Sequence, residues 1–87
     1  MKLKKLWNEY IKAETAANIA DEKWNADPEN EELEDAFDAA YAAEIEAMNK
    51  VAEEIVAFTS GKIDHSLAQK MVRMQRAAIE DLINRVA

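Results

Sequence analysis

One proline and one glycine punctuate 87 residues, and this scarcity constrains the fold more than any other feature of the chain. Pro28 lies in Asp27-Pro28-Glu29-Asn30, and Gly61 lies in Thr59-Ser60-Gly61-Lys62. The segments around them are rich in alanine, glutamate, lysine and leucine, all strong helix formers. The expected architecture is all-α: a three-helix antiparallel bundle with helices near 2–26, 28–58 and 64–86, a long helical hairpin followed by a C-terminal helix. At this length residues 1–87 are expected to form a single helical domain.

Local chemistry sets the expected boundaries. The residue before a proline is pushed out of the helical region, whereas proline itself suits the first helical position. Asp27 is therefore expected to stop the first helix and to cap the second. Gly61 can take the left-handed conformation that ends a helix. Asp64 or Ser66 can cap the third, with Ile63 placed to pack onto Ala68 as a hydrophobic staple.

The apolar spacing supplies the faces. Leu3, Leu6, Tyr10, Ala13, Ala17, Ala20 and Trp24 recur at intervals of three and four, the seam of a helix packed on another helix. The second helix offers Leu33, Phe37, Ala40, Tyr41, Met48, Val51, Ala52, Ile55 and Phe58. The third carries a wide arc, with Leu67, Met71, Ala78 and Leu82 on one edge and Ala68, Val72, Ile79, Ile83 and Val86 on the other. The expected core contains Leu6, Tyr10, Ala17, Phe37, Met48, Ile55, Leu67, Met71, Ile79 and Leu82. The arc is wider than one neighbour needs, so Val72 and Ile83 are expected to contribute to a partner or subunit interface, including a homodimer. The run from Asp27 through Tyr41 resembles the start of a tetratricopeptide repeat over about fifteen residues. The long second helix has no turn where such a repeat needs one, and no second copy follows, so the repeat reading is discarded.

Charge is unevenly distributed. The formal net charge is −7, yet residues 1–12 hold four lysines and one glutamate. Asp27 to Glu46 hold nine carboxylates and no basic residue. That sign excludes direct nucleic-acid binding, which needs cations against phosphates. It suits a basic protein partner, such as a nucleic-acid-binding protein. Glu31, Glu34, Asp35 and Asp38 share one outward side and are the expected partner-binding residues, with Val72 and Ile83 as the apolar candidates. The simpler explanation of the acids is solubility together with the helix dipole.

No catalytic signature emerges. There is no cysteine, no glycine-rich phosphate loop and one histidine, His65. Glu14 and Glu44 interrupt apolar faces at roughly level positions in the hairpin. Helical-bundle metal sites pair inward glutamates with Glu-x-x-His motifs, which this chain lacks. The pair is therefore read as a polar layer that fixes register, with Tyr10, Tyr41 or Gln75 as partners. Lys70, Arg73 and Arg76 are assigned to an outer face beside the acidic flank of the second helix. The expectation is a non-enzymatic, cofactor-free protein working through protein–protein interaction. The competing expectation is an inhibitor of the kind phages and mobile elements encode, a nucleic-acid-mimicking decoy of anti-CRISPR or anti-restriction type. No 18-residue apolar run exists, and the lysine-rich start lacks an apolar signal core, so no membrane association and a cytoplasmic location are expected.

Overall fold

The computed structural model describes residues 2–86, which form helices joined by short turns, with no strand among them. Four helices are present: α1 (Lys2–Ala26), α2 (Glu31–Phe58), α3 (His65–Met74) and α4 (Arg76–Val86). The chain measures 46 × 21 × 19 Å along its principal axes. No described helix is long and apolar enough to cross a membrane.

α1 and α2 form the expected hairpin: Lys2 meets Glu54 at 3.5 Å near its open end, while Trp24 meets Phe37 near its tip. The start of α2 differs from expectation. Asn30, not Asp27, is its N-cap, accepting hydrogen bonds on Oδ1 from the backbone N–H groups of Glu32 and Leu33 at 3.0 and 3.3 Å. Asp27-Pro28-Glu29 instead forms a turn closed by the Asn30 N–H on the Asp27 carbonyl at 3.1 Å. Both residue types cap well, and the extra turn lets the chain reverse before α2 begins.

The end of α2 is a Schellman motif. The Ser60 N–H donates to the Ala57 carbonyl at 3.2 Å, and the Gly61 N–H donates to the Val56 carbonyl at 2.9 Å. Ser60 takes the left-handed position at φ 55°, and Gly61 follows at φ 81°. Gly61 was expected to take the left-handed conformation that ends the helix. Here it supplies the second, which the turn into α3 requires. Asp64 caps α3 as expected, its Oδ1 accepting from the Leu67 N–H at 2.8 Å.

The third helix of the expected bundle is interrupted. Gln75 ends α3 with φ −131° and ψ 53°, outside the helical region, although no glycine or proline is nearby. The Gln75 N–H still donates to the Met71 carbonyl, and the Gln75 carbonyl accepts from Ala78. The cause is tertiary. α3 passes Asn49, where Gln69 Nε2 donates to Asn49 Oδ1 at 2.9 Å, and reaches Met48 at Arg73. A straight continuation would run on toward Tyr41 and Phe37. Bending at Gln75 brings Ile79 and Ile83 into the cluster that holds Leu3, Trp7, Tyr10 and Val72.

That cluster is the core. Leu3, Val51, Ala52, Ile55, Ala68, Val72 and Ile79 are almost fully buried. Of the expected core, Tyr10, Ala17, Met48, Ile55, Met71 and Ile79 are buried. Leu6, Phe37 and Leu82 are half-buried. Leu67 is corrected to the surface, 45% exposed, because the buried edge of α3 is Ala68, Met71 and Val72. Ile63 packs against the core just ahead of Asp64. The side chain of Val86 lies outside the described residues.

Burial stops abruptly along the hairpin. No residue from 18 to 47 is buried. α3 and α4 cover only the half of the hairpin that carries Leu3–Tyr10 and Met48–Ile55. The other half is a two-helix arm with solvent around it.

Candidate partner-binding site

Two features of the arm are candidates for function. The first is its charge. Residues 18–47 contain eleven carboxylates and one lysine, Lys23. Glu31, Glu34, Asp35 and Asp38 are all exposed. None of these four forms an ion pair among the described residues; the pairs found are Lys2–Glu54, Lys50–Glu46, Arg76–Glu14 and Arg85–Asp81. Glu31 and Glu34 lie in the first turn of α2, where the helix dipole favours them. Asp35 and Asp38 lie beyond it, where that effect has faded.

The second feature is an aromatic row. Trp24 stacks on Phe37 with ring centroids 5.4 Å apart, and Phe37 stacks on Tyr41 at 5.8 Å. Trp24 also donates from Nε1 to the Pro28 carbonyl at 3.3 Å, which ties the row to the tip of the hairpin. Trp24 and Phe37 are half-buried and Tyr41 is 48% exposed. Three rings in this state are unusual for a finished core, since aromatics carry a large apolar area.

The row leads into a pocket of about 250 Å³ where the arm meets the body. Tyr41 and Glu44 of α2, Tyr10 and Glu14 of α1, and Arg73 and Arg76 from either side of the Gln75 break line it. Glu14 is the hub: it accepts from the Tyr10 hydroxyl at 3.1 Å and is paired with Arg76. The Arg76 guanidinium carbon lies 5.9 Å from the Tyr10 ring centroid, within cation–π range. Arg73 donates from Nε to the Met48 sulfur at 3.4 Å. Burial raises the pKa of Glu44, and the positive charge of Arg73 opposes the shift. Burial also raises that of Tyr10, opposed by Arg76.

The hydrogen-bonded layer expected around Glu14 and Glu44 is present in part: Tyr10 and Arg76 bond Glu14, whereas Glu44 and Tyr41 line the same pocket with no side-chain hydrogen bond among the described residues. Gln75 is exposed and takes no part. Arg73, assigned from sequence to an outer face beside the second helix, is exposed and reaches the pocket from α3 next to Glu44, whereas Arg76, beyond the break at Gln75, is half-buried and pairs with Glu14. The spacing of an uninterrupted helix misplaced Arg76 alone. Among the described residues, no group of three or more histidine, aspartate or glutamate side chains is placed to hold a metal ion.

The apolar candidates change place. Val72 is fully buried and Ile83 is 6% exposed, both within the chain's own core. The surplus arc of the third helix is absorbed by the bend, so neither residue is on a surface a partner can reach. Sequence reasoning missed the aromatic row as a unit. Trp24, Phe37 and Tyr41 were each assigned to a core face, and the signal that separates them is the end of the third helix at Gln75.

Comparison with protein families, curated proteins and solved structures finds no match for this chain.

Proposed function

We propose that this chain is a non-enzymatic protein that works by protein–protein interaction, presenting its hairpin arm to a basic surface on another protein. The observation that carries this reading is the stretch from residue 18 to residue 47, two long helices with no buried residue and eleven carboxylates. Helices in proteins draw most of their stability from an apolar face packed against a neighbour. The arm leaves its seam half-open and ten of its eleven acids without an ion pair among the described residues, Glu46 with Lys50 being the exception, a combination that a basic partner completes. The basic grooves of nucleic-acid-binding proteins have the required sign. Occupation of such a groove by Glu31, Glu34, Asp35 and Asp38 in place of phosphates is the specific form of the reading, a decoy of the kind phages and mobile elements encode.

The test is affinity capture by wild-type protein and by the triple variant Glu31→Lys, Glu34→Lys, Asp38→Lys, at low and high salt. Helicity is followed by circular dichroism. The expected result is a partner set captured at low salt, weakened at high salt and lost from the triple variant, with helicity unchanged. Capture of the same proteins by both chains would overturn the reading. Release of a captured partner by excess duplex DNA or RNA would separate a nucleic-acid groove from other basic surfaces.

A further inference from the structure

We infer that the aromatic row Trp24–Phe37–Tyr41 is a docking lane for an arginine-bearing helix of another protein, one that continues the path α3 abandons at Gln75. The inference rests on the arm being the partner-binding part of the chain, and it specifies which face binds and what chemistry binds there.

The chain displays the recognition chemistry in its own junction. Tyr10 and Glu14, one helical turn apart, hold Arg76, with the carboxylate paired to the guanidinium and the ring beneath it. Tyr41 and Glu44, also one turn apart, line the same pocket with Arg73. The combination repeats outward along the arm as Phe37 with Glu34 and as Trp24 with Asp21. Residues three or four apart share one side of a helix, so each aromatic has a carboxylate alongside. No arginine among the described residues pairs with those outer positions, and Ile79 and Ile83 of α4 join the core cluster of Leu3 and Trp7 instead.

The spacing defines the occupant. Ring centroids along the row stand 5.4 and 5.8 Å apart. The pitch of an α-helix is ~5.4 Å. A helix laid along the row with arginines at one-turn intervals therefore meets one carboxylate per turn, and its guanidinium groups stack on the end rings Trp24 and Tyr41, between which Phe37 is sandwiched. Arginine is favoured over lysine because its planar guanidinium stacks on a ring while donating to a carboxylate. The excess of carboxylates on the arm favours a cationic helix and opposes a second copy of the arm itself.

The probe is an alanine- and leucine-based helical peptide with arginines one turn apart, compared with a lysine peptide of equal charge. Binding to the full chain is read by anisotropy of the labelled peptide. The arginine peptide is expected to bind about tenfold more tightly, the size of two cation–ring contacts. Tyr41→Leu keeps an apolar side chain but removes the ring. It should shrink the arginine preference and leave the lysine peptide unaffected. Trp24→Leu should act in the same direction, and circular dichroism on both variants guards against loss of the arm.

Equal affinity for the two peptides would overturn the inference, as would a preference that survives both substitutions. If the peptides bind equally and the Glu31, Glu34, Asp38 triple reversal weakens both, the acidic arm stands as the partner face and the aromatic lane falls. If the arginine preference survives the double reversal Glu31→Lys, Asp38→Lys, which spares the Glu34 beside Phe37, the lane stands and the acidic side is not the determinant. A wild-type dimer in sedimentation that protects Trp24 from quenching would assign the lane to a second copy and overturn it.

Discussion

Trp24 and Phe37 stack across the two helices of the hairpin with their centroids 5.4 Å apart, yet neither ring is fully covered. Their contact is the main apolar tie between the ends of α1 and α2 near the tip. Beyond it lie only Leu33 and the turn at Asp27–Asn30.

Truncation should therefore cost less in the arm than in the body. Ile79 is fully buried in the core cluster, so Ile79→Ala is expected to destabilise by about 2–5 kcal/mol. Phe37→Ala removes a larger side chain, but a half-solvated one, and should cost about 1–2 kcal/mol. Urea unfolding midpoints of the two variants measure the difference. A larger loss for Phe37→Ala would mean that the arm is covered in solution.

The break at Gln75 has a direct signature. Glycine in the middle of an exposed helix costs about 1 kcal/mol relative to good helix formers. Lys70→Gly, within α3 and exposed, should show that loss. Gln75→Gly should cost no more than about 0.5 kcal/mol, because its backbone is already outside the helical region. Equal losses at both positions would indicate an uninterrupted helix from His65 to Val86.

Glu44 sets a pH dependence whose sign follows from its surroundings. Burial raises its pKa in the folded chain, with Arg73 opposing. The folded state therefore retains the proton at pH values where the unfolded state has released it, so the charged form opposes folding. The penalty is absent below the ordinary carboxylate range. It grows as pH rises from the unfolded pKa to the raised folded one and is complete above that. Glu44→Gln is expected to raise the urea midpoint at neutral pH, with the gain vanishing in acid. A lower midpoint for the variant at neutral pH would show that attraction to Arg73 outweighs burial.

The ends of α1 and α2 were legible in the sequence because local chemistry decides them. Pro28 and the Thr59-Ser60-Gly61 turn leave little alternative, and Asp64 caps α3 where expected. The N-cap of α2 fell three residues from its expected place because Asp27 and Asn30 are equally able to cap. The interruption at Gln75 was not legible, since no residue there disfavours a helix. It follows from a choice between two apolar surfaces, Leu3 and Trp7 on the body or Phe37 and Tyr41 on the arm, and that choice exists only once α1 and α2 have packed. The candidate site was readable to the same extent. The acids and the Glu14–Glu44 layer followed from composition and periodicity. The placement of Arg76, the burial of Ile83 and the exposed aromatic row all depend on the bend.

The end of burial at residue 18 and its return at residue 48 make the chain uneven in its protection from solvent exchange. Amide protons of Val51–Ile55 and Ile79 should exchange only through global unfolding, whereas those of residues 18–47 should exchange through local opening of the arm at a much smaller free energy. A ligand closing on the arm would slow those amides first, leaving the slowest core protons for last. Exchange read residue by residue would thus map the binding face without knowledge of the partner, and the segment that resists least on its own would be the one that reports most.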